Sequence, residues 1–400
     1  MHAHSKTSHA NLINYVLIAV LARTATGGAI VAIVLLATSF GDKGMLAGAL
    51  AACLTAPHVC GPIYGRWLDE AKDPRILIGA ASLVFTVFFQ LAIVGIHYNL
   101  ISLIYCSLLI CGVSSSFLMG GLSTQLTYLT PNTIAEKRYA QSWDTISYGI
   151  GLTIGPLLIA VLSQLASVTI AISLLMTLPV FASLFLLKMP QRQAHSSTGE
   201  GKIAGFRQIV GYIRNSSALK STLMMTSGAS FSIAALPVMA VYLSKYWQQN
   251  DEAGAFLVTL YGVGCLCGAI LLIFKPLKAN ALILLRKLGI FLLVCLSLVA
   301  FSQSFELGLV TYWLCGVVNS IFFAATLAAR TEYAPRQGAA QIFMWVAACK
   351  ISAASFGTLM AGLLVDYSIY LPFIFACSVL MIALMFLQLN VKPVIESTYE

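Results

Sequence analysis

Twelve apolar runs alternate with short polar connections along the chain, at residues 12–38, 44–66, 75–97, 99–128, 140–164, 167–188, 218–243, 254–274, 281–303, 306–329, 338–365 and 370–391. At about 1.5 Å per helical residue, each run can cross a hydrocarbon layer of roughly 30 Å, which predicts an all-α membrane protein with twelve transmembrane helices. One connection is longer, basic and Gly/Ser-bearing, and it divides six spans from six. The expected organisation is a polar tail at 1–11, a bundle at 12–188, a linker at 189–217, a second bundle at 218–391 and a tail at 392–400. Within the linker, Ile203, Phe206, Ile209, Val210 and Ile213 recur at helical spacing among Lys202, Arg207 and Arg214. This predicts a basic amphipathic helix on the membrane surface.

Composition agrees: 59% of the 400 residues are hydrophobic and 9% charged, against about 25% charged in soluble domains. The net charge of +9 would suggest nucleic acid in a soluble chain, but here it follows the positive-inside rule. With the N-terminus inside, nineteen of the 23 Lys and Arg residues fall in inner connections and tails, while Lys43 and Lys245 lie outside. Both termini are therefore expected in the cytoplasm of a cell whose plasma membrane, such as a bacterial inner membrane, holds the chain. All ten cysteines sit in apolar runs, where Cys acts as a small hydrophobe, so no metal site is expected. No G-x-x-x-x-G-K-[ST] segment is present, which excludes direct nucleotide drive by that motif.

The two remaining cations, Arg23 and Lys350, lie within spans, where a charge is costly and marks a functional site. Each lies twelve residues beyond the start of its run's approach, at Asn11 and Gly338, hence about 18 Å deep by helical rise. One comes from each bundle, so a small anion could bridge them; carbonyls, Tyr or Asn side chains or Asp144 could satisfy them instead. Tyr15, Gln125, Tyr312, Asn319 and Trp345 complete a candidate cavity. Asp144 is the acid lying well inside a span, about 6–8 Å in by rise from the start of its run. It is a candidate for carrying a coupling proton, as is His58, and it could instead cap its helix or pair with Arg138 or Arg66.

The second span ends in Gly65-Arg66-Trp67-Leu68-Asp69-Glu70-Ala71-Lys72-Asp73-Pro74-Arg75. This resembles the G-x-x-x-D-x-x-G-R-R signature loop of major facilitator superfamily transporters, with Gly65, Asp69 and Arg75 matching in kind. Gly65 would let two helices approach closely, and Asp69 would meet the positive end of a helix in the other half, forming a latch with Arg66, Arg75 and Arg138. In the fifth span, Gly151-Leu152-Thr153-Ile154-Gly155-Pro156 resembles the G-x-x-x-G-P element of the superfamily's exporters, with Gly151, Gly155 and Pro156 as bend positions. The resemblance implies two six-helix bundles related by a pseudo-two-fold axis, rocking about a midplane site.

The sequence thus reads as a secondary transporter rather than an enzyme, expected as a monomer in the bilayer with no cofactor and no nucleic-acid partner. It would move a small organic anion or carboxylate-bearing metabolite as a proton-coupled exporter, an antiporter driven by an ion gradient. The alternatives are a proton-coupled multidrug exporter, an importer of an organic acid, and a substrate-sensing membrane receptor.

Overall fold

Long apolar runs without water to bond their backbones must form helices, and in the computed structural model they do. The structure describes residues 2–38, 44–129, 134–191, 206–250, 252–275, 277, 279–333 and 339–396. Eleven helices among them are long and apolar enough to cross a membrane, and a shorter apolar helix covers Gly44–Cys60. The protein is an all-α, multi-pass membrane protein. Side chains such as Leu165, Phe274 and Leu389 are more than three-quarters exposed, as an outer surface solvated by lipid permits.

Proline marks the breaks in the second, sixth and seventh spans. The first span is α1 (His2–Thr38). The second is split into α2 (Gly44–Thr55), a 3₁₀ turn (Ala56–Cys60) and α3 (Gly61–Glu70), because Pro57 and Pro62 each lack the N–H the ladder needs. The third is α4 (Pro74–His97), and the fourth is α5 (Ile101–Ser116), a π-helical turn (Phe117–Gly121) and α6 (Leu122–Leu129). The fifth, α7 (Ile134–Leu165), continues through Pro156. The sixth breaks ahead of Pro179 into α8 (Val168–Leu175) and α9 (Leu178–Leu186).

After α10 (Phe206–Asn215) the seventh span breaks ahead of Pro237 into α11 (Ser217–Ile233) and α12 (Leu236–Tyr246). The remaining spans are α13 (Ala253–Phe274), α14 (Ala281–Ala300), α15 (Phe305–Tyr333), α16 (Ala339–Val365) and α17 (Leu371–Glu396). The amphipathic helix of the linker forms, but not simply as a surface helix. Its Tyr212 and Ile213 pack on Leu219, Ile342 and Val346 of α11 and α16.

Packing repeats with an offset of six spans. α1 packs on α7 and α9, α2 on α5, and α4 on α5 and α9; correspondingly α11 packs on α16 and α17, α13 on α15, and α14 on α15 and α17. The two most extensive seams between the groups are α7 with α13 and α2 with α16. The second seam closes at the end of the molecule marked by Gly44. There a Cβ on Gly48 would sit 2.8 Å from Gly362 Cα, so only glycine permits the approach. Asp366, at the end of α16, accepts hydrogen bonds from the Gly44 N–H (2.6 Å) and the Met45 N–H (2.9 Å), capping α2 across the seam. The two donors are free N–H groups at a helix start, where a carboxylate is favoured.

Candidate functional site

The site is built on glycine. α1 and α7 meet through Gly27 and Gly28 on one side and Gly151 and Gly155 on the other: a Cβ at Gly151 would lie 2.6 Å from the Arg23 carbonyl oxygen, and one at Gly155 would lie 2.6 Å from the Gly28 nitrogen. Small residues let membrane helices touch backbone to backbone. The G-x-x-x-G-P element therefore serves close packing, and α7 runs unbroken through it.

That contact sets Arg23 against the face of α7 that carries Asp144, Ser147, Tyr148 and Gly151, at helical spacing. Arg23 is 1% exposed. Its Nη1 pairs with Asp144 Oδ1 at 2.7 Å and donates to the Asp144 carbonyl at 2.8 Å and to Ser147 Oγ. Its Nη2 donates to Ser123 Oγ at 2.7 Å and to the Met119 carbonyl at 3.4 Å, within and just after the π-helical turn of the fourth span. The guanidinium lies 3.5 Å from the centre of the Tyr148 ring. Asp144 is held from the other side as well, by the Tyr15 hydroxyl and by Ser123 Oγ at 2.9 Å from Oδ2. Its side chain keeps 16% of its surface open.

Arg23 is therefore not the unpaired cation that its depth suggested, and the bridge to Lys350 is replaced in this structure by the pair with Asp144. The counted depths misled for two reasons. α7 begins at Ile134, so Asp144 is about 15 Å along its helix by rise. A helical side chain also leans toward its own N-terminus, which carries the long Arg23 back toward Asp144. Lys350, on α16, is half-buried, with its Nζ 3.9 Å from the Phe323 ring centre and no ion-pair partner among the described residues.

The other candidates scatter. Gln125 is buried and donates to Thr124 Oγ1 at 3.1 Å. Tyr312 is fully buried and donates to the Leu236 carbonyl at 2.9 Å, tying α15 to the break in the seventh span. Asn319 donates to Tyr261 Oη at 2.7 Å, joining α15 to α13. Trp345 is 38% exposed. His58 lies in the 3₁₀ turn of the second span, with Nε2 3.2 Å from Ser115 Oγ, apart from the Asp144 cluster.

The latch differs from its expected form. A Cβ at Gly65 would meet nothing within 4 Å, so Gly65 mediates no close approach here. The side chains of Arg66, Asp69 and Arg138 lie outside the described residues. Arg75 turns to its own half: it pairs with Asp73 at 2.7 Å and donates to the Met189 carbonyl. Asp73 caps α4 by accepting from the Arg75 N–H at 3.1 Å. The Arg75 hydrogen bond, with its charge, holds the Asp73 carboxyl below its ordinary pKa. The Asp-Pro pair at the head of a helical run was a readable cap signal.

The major facilitator superfamily model matches residues 15–282. Multidrug resistance protein 1 of Bacillus subtilis (strain 168) is 28% identical over 170 residues, a match that spans 42% of either chain. Among solved structures, the nucleoside transporter NupG superposes with a TM-score of 0.75 at 12% identity, over 96% of this chain and 99% of that one. A POT family transporter in complex with 5-aminolevulinic acid gives 0.74 at 12% identity, over 96% of each. The human organic anion transporter MFSD10 (TETRAN) gives 0.67 at 13% identity, over 96% and 99%. The chain belongs to the major facilitator superfamily and is a secondary transporter, not an enzyme.

Proposed function

We propose that this chain is a proton-coupled exporter of amphipathic, drug-like molecules, alternating access between bundles at 12–188 and 218–391. The observation that carries the reading is the Asp144 cluster, an ionisable acid with 16% of its side chain open, shared by Arg23, Tyr15 and Ser123. Arg23 keeps the Asp144 carbonyl, Ser147, Ser123, Met119 and the Tyr148 ring as partners that do not depend on the carboxylate's charge. Asp144 can therefore take a proton without leaving a bare guanidinium, which suits a coupling site and is more than a structural bridge needs.

The Bacillus subtilis relative is named for multidrug resistance, and the pairing of Arg23 with Asp144 leaves that guanidinium without an uncompensated charge to repel a lipophilic cation. An organic-acid substrate is the second reading, favoured by Lys350, which has no ion-pair partner among the described residues. The contacts of α1 with α12 and of α2 with α16 support a state closed at the Gly44 end. The distribution of Lys and Arg supports a plasma-membrane, bacterial inner-membrane orientation with that end outside and both termini in the cytoplasm.

The test is flux in proteoliposomes under an imposed pH gradient, with ethidium as the lipophilic cation and citrate as the organic acid. Gradient-driven ethidium movement in the wild type, lost in Asp144→Asn while ethidium exchange without a gradient persists, is the expected result. Undiminished gradient-driven flux in Asp144→Asn overturns proton coupling at this acid. Citrate flux without ethidium flux overturns the substrate class.

A further inference from the structure

The second half holds a cation that the alternating-access reading does not use. Arg330, in the last turns of α15, is 4% exposed, yet its Nε and Nη2 have no hydrogen-bond partner among the described residues. These two nitrogens are not an arbitrary pair. They form the side-on edge of the guanidinium, the fork whose parallel N–H groups match two oxygens of one carboxylate or phosphate.

Phe323 lies seven residues before Arg330 on α15, two helical turns away and on the same stripe, about 10 Å along the axis. Over that Phe323 ring, at 3.9 Å, stands the ammonium of Lys350. The charge of Arg330 also acts on Lys350 through space. Two cations from adjacent spans therefore share one face of α15.

Among the described residues of the second half, no acid pairs with either cation. Between residues 218 and 391 the acids are Asp251, Glu252, Glu306, Glu332 and Asp366. Glu252, Glu306 and Asp366 sit at the Gly44 end, Asp251 precedes Glu252 in the same connection, and Glu332 is exposed, about 200° around α15 from Arg330 at 100° per residue. The first half treats its buried cation differently, giving Arg23 a carboxylate at 2.7 Å. A buried fork with no partner among the described residues, beside a second cation, has the shape and charge that an anionic group would match.

We propose that Arg330 and Lys350 form a subsite for one carboxylate or phosphate group, with Arg330 binding it side-on through Nε and Nη2 and Lys350 supplying the second charge. The group could belong to a soluble anion entering the transporter or to the headgroup of an anionic lipid. The subsite does not depend on proton coupling at Asp144.

The experiment is thermal unfolding and titration of the full-length protein in neutral detergent. The probes are citrate, inorganic phosphate and phosphatidylglycerol, each against sodium chloride of equal ionic strength and phosphatidylcholine. The wild type should be stabilised saturably by at least one anionic probe. Apparent affinity should fall on the order of tenfold or more in Arg330→Gln, in Lys350→Gln and in Arg330→Lys, which keeps the charge but loses the fork.

Citrate or phosphate acting alone assigns the site to a soluble anion, and phosphatidylglycerol acting alone assigns it to a lipid headgroup; either supports the subsite. Equal effects of probe and control, or stabilisation that survives the substitutions, overturn it. Without probe, Arg330→Gln should unfold no earlier than wild type, since it relieves an unpaired buried charge; a clear loss of stability shows a structural partner and overturns the proposal. Ethidium flux is read separately, so its absence alongside intact anion binding counts against the exporter reading alone.

Discussion

Asp144 accepts from three side chains on two segments, Tyr15 and Arg23 of α1 and Ser123 of α6. Breaking a buried pair from one side typically costs about 3–5 kcal/mol. Asp144→Asn should fall at or below that range, because Arg23 retains its neutral acceptors, and Arg23→Gln/Asp144→Asn should recover part of the loss. Thermal unfolding of the three variants would give a coupling energy of about 1 kcal/mol or more, and simple additivity would show that the pair is not coupled. Asp73 offers a second check. Its pKa is lowered by the Arg75 hydrogen bond from an ordinary 3.8, so its stabilisation is full above that value and is lost as pH falls through the lower folded one. Asp73→Ala should cost about 1 kcal/mol at neutral pH, as helix caps do, and the gap to wild type should close in acid. The intramembrane charges were legible in the sequence because each stands alone in an apolar run. Their partners were harder to see: Ser147 and Tyr148 lie three and four residues beyond Asp144 and share its face, but serine and tyrosine are too common in such helices to stand out. Arg330 directly follows its apolar run and precedes Thr331 and Glu332, so the sequence alone places it in a connection.

Among elements, glycine position matters more than glycine count. Gly65 and Gly151 both sit in helices and both belong to motif-like stretches, yet one faces open space and the other the backbone of α1. Gly65→Ala should leave stability unchanged or raise it by up to about 1 kcal/mol through helix propensity. Gly151→Val should separate α1 from α7 and pull Arg23 off Asp144, lowering the unfolding temperature and the gradient-driven flux together. A harmful Gly65→Ala would mean that this position does meet another helix during the transport cycle. Helix breaks at Pro57, Pro179 and Pro237 could be placed from the sequence, since a missing N–H has a local consequence. The intact passage through Pro156 and the π-helical turn at Phe117–Gly121 could not, because both depend on what the neighbouring helices supply.

At the scale of the whole molecule, the repeated packing pattern was legible from twelve runs and one long connection, whereas the seams were not. The Gly44 seam rests on Asp366 capping a helix of the other half, and the sequence shows Asp366 only as an acid at a span end. Asp366→Ala should cost that seam about 1 kcal/mol, enough to shift the balance between closed and open forms roughly fivefold. Hydrogen exchange at the Gly44 and Met45 amides should quicken accordingly, and unchanged exchange would show that the cap does not hold the seam. The Arg23–Asp144 pair has a consequence of another kind. Its charges cancel and lie within one half, so when that half tilts it carries almost no net charge through the membrane's electric field. Lys350 and Arg330 have no such counter-charge among the described residues, and each elementary charge crossing the field is worth about 2.3 kcal/mol per 100 mV. The empty carrier should therefore sense voltage through its second half, with Lys350→Gln flattening the dependence of flux on an imposed potassium diffusion potential and a bound anion doing the same without any mutation.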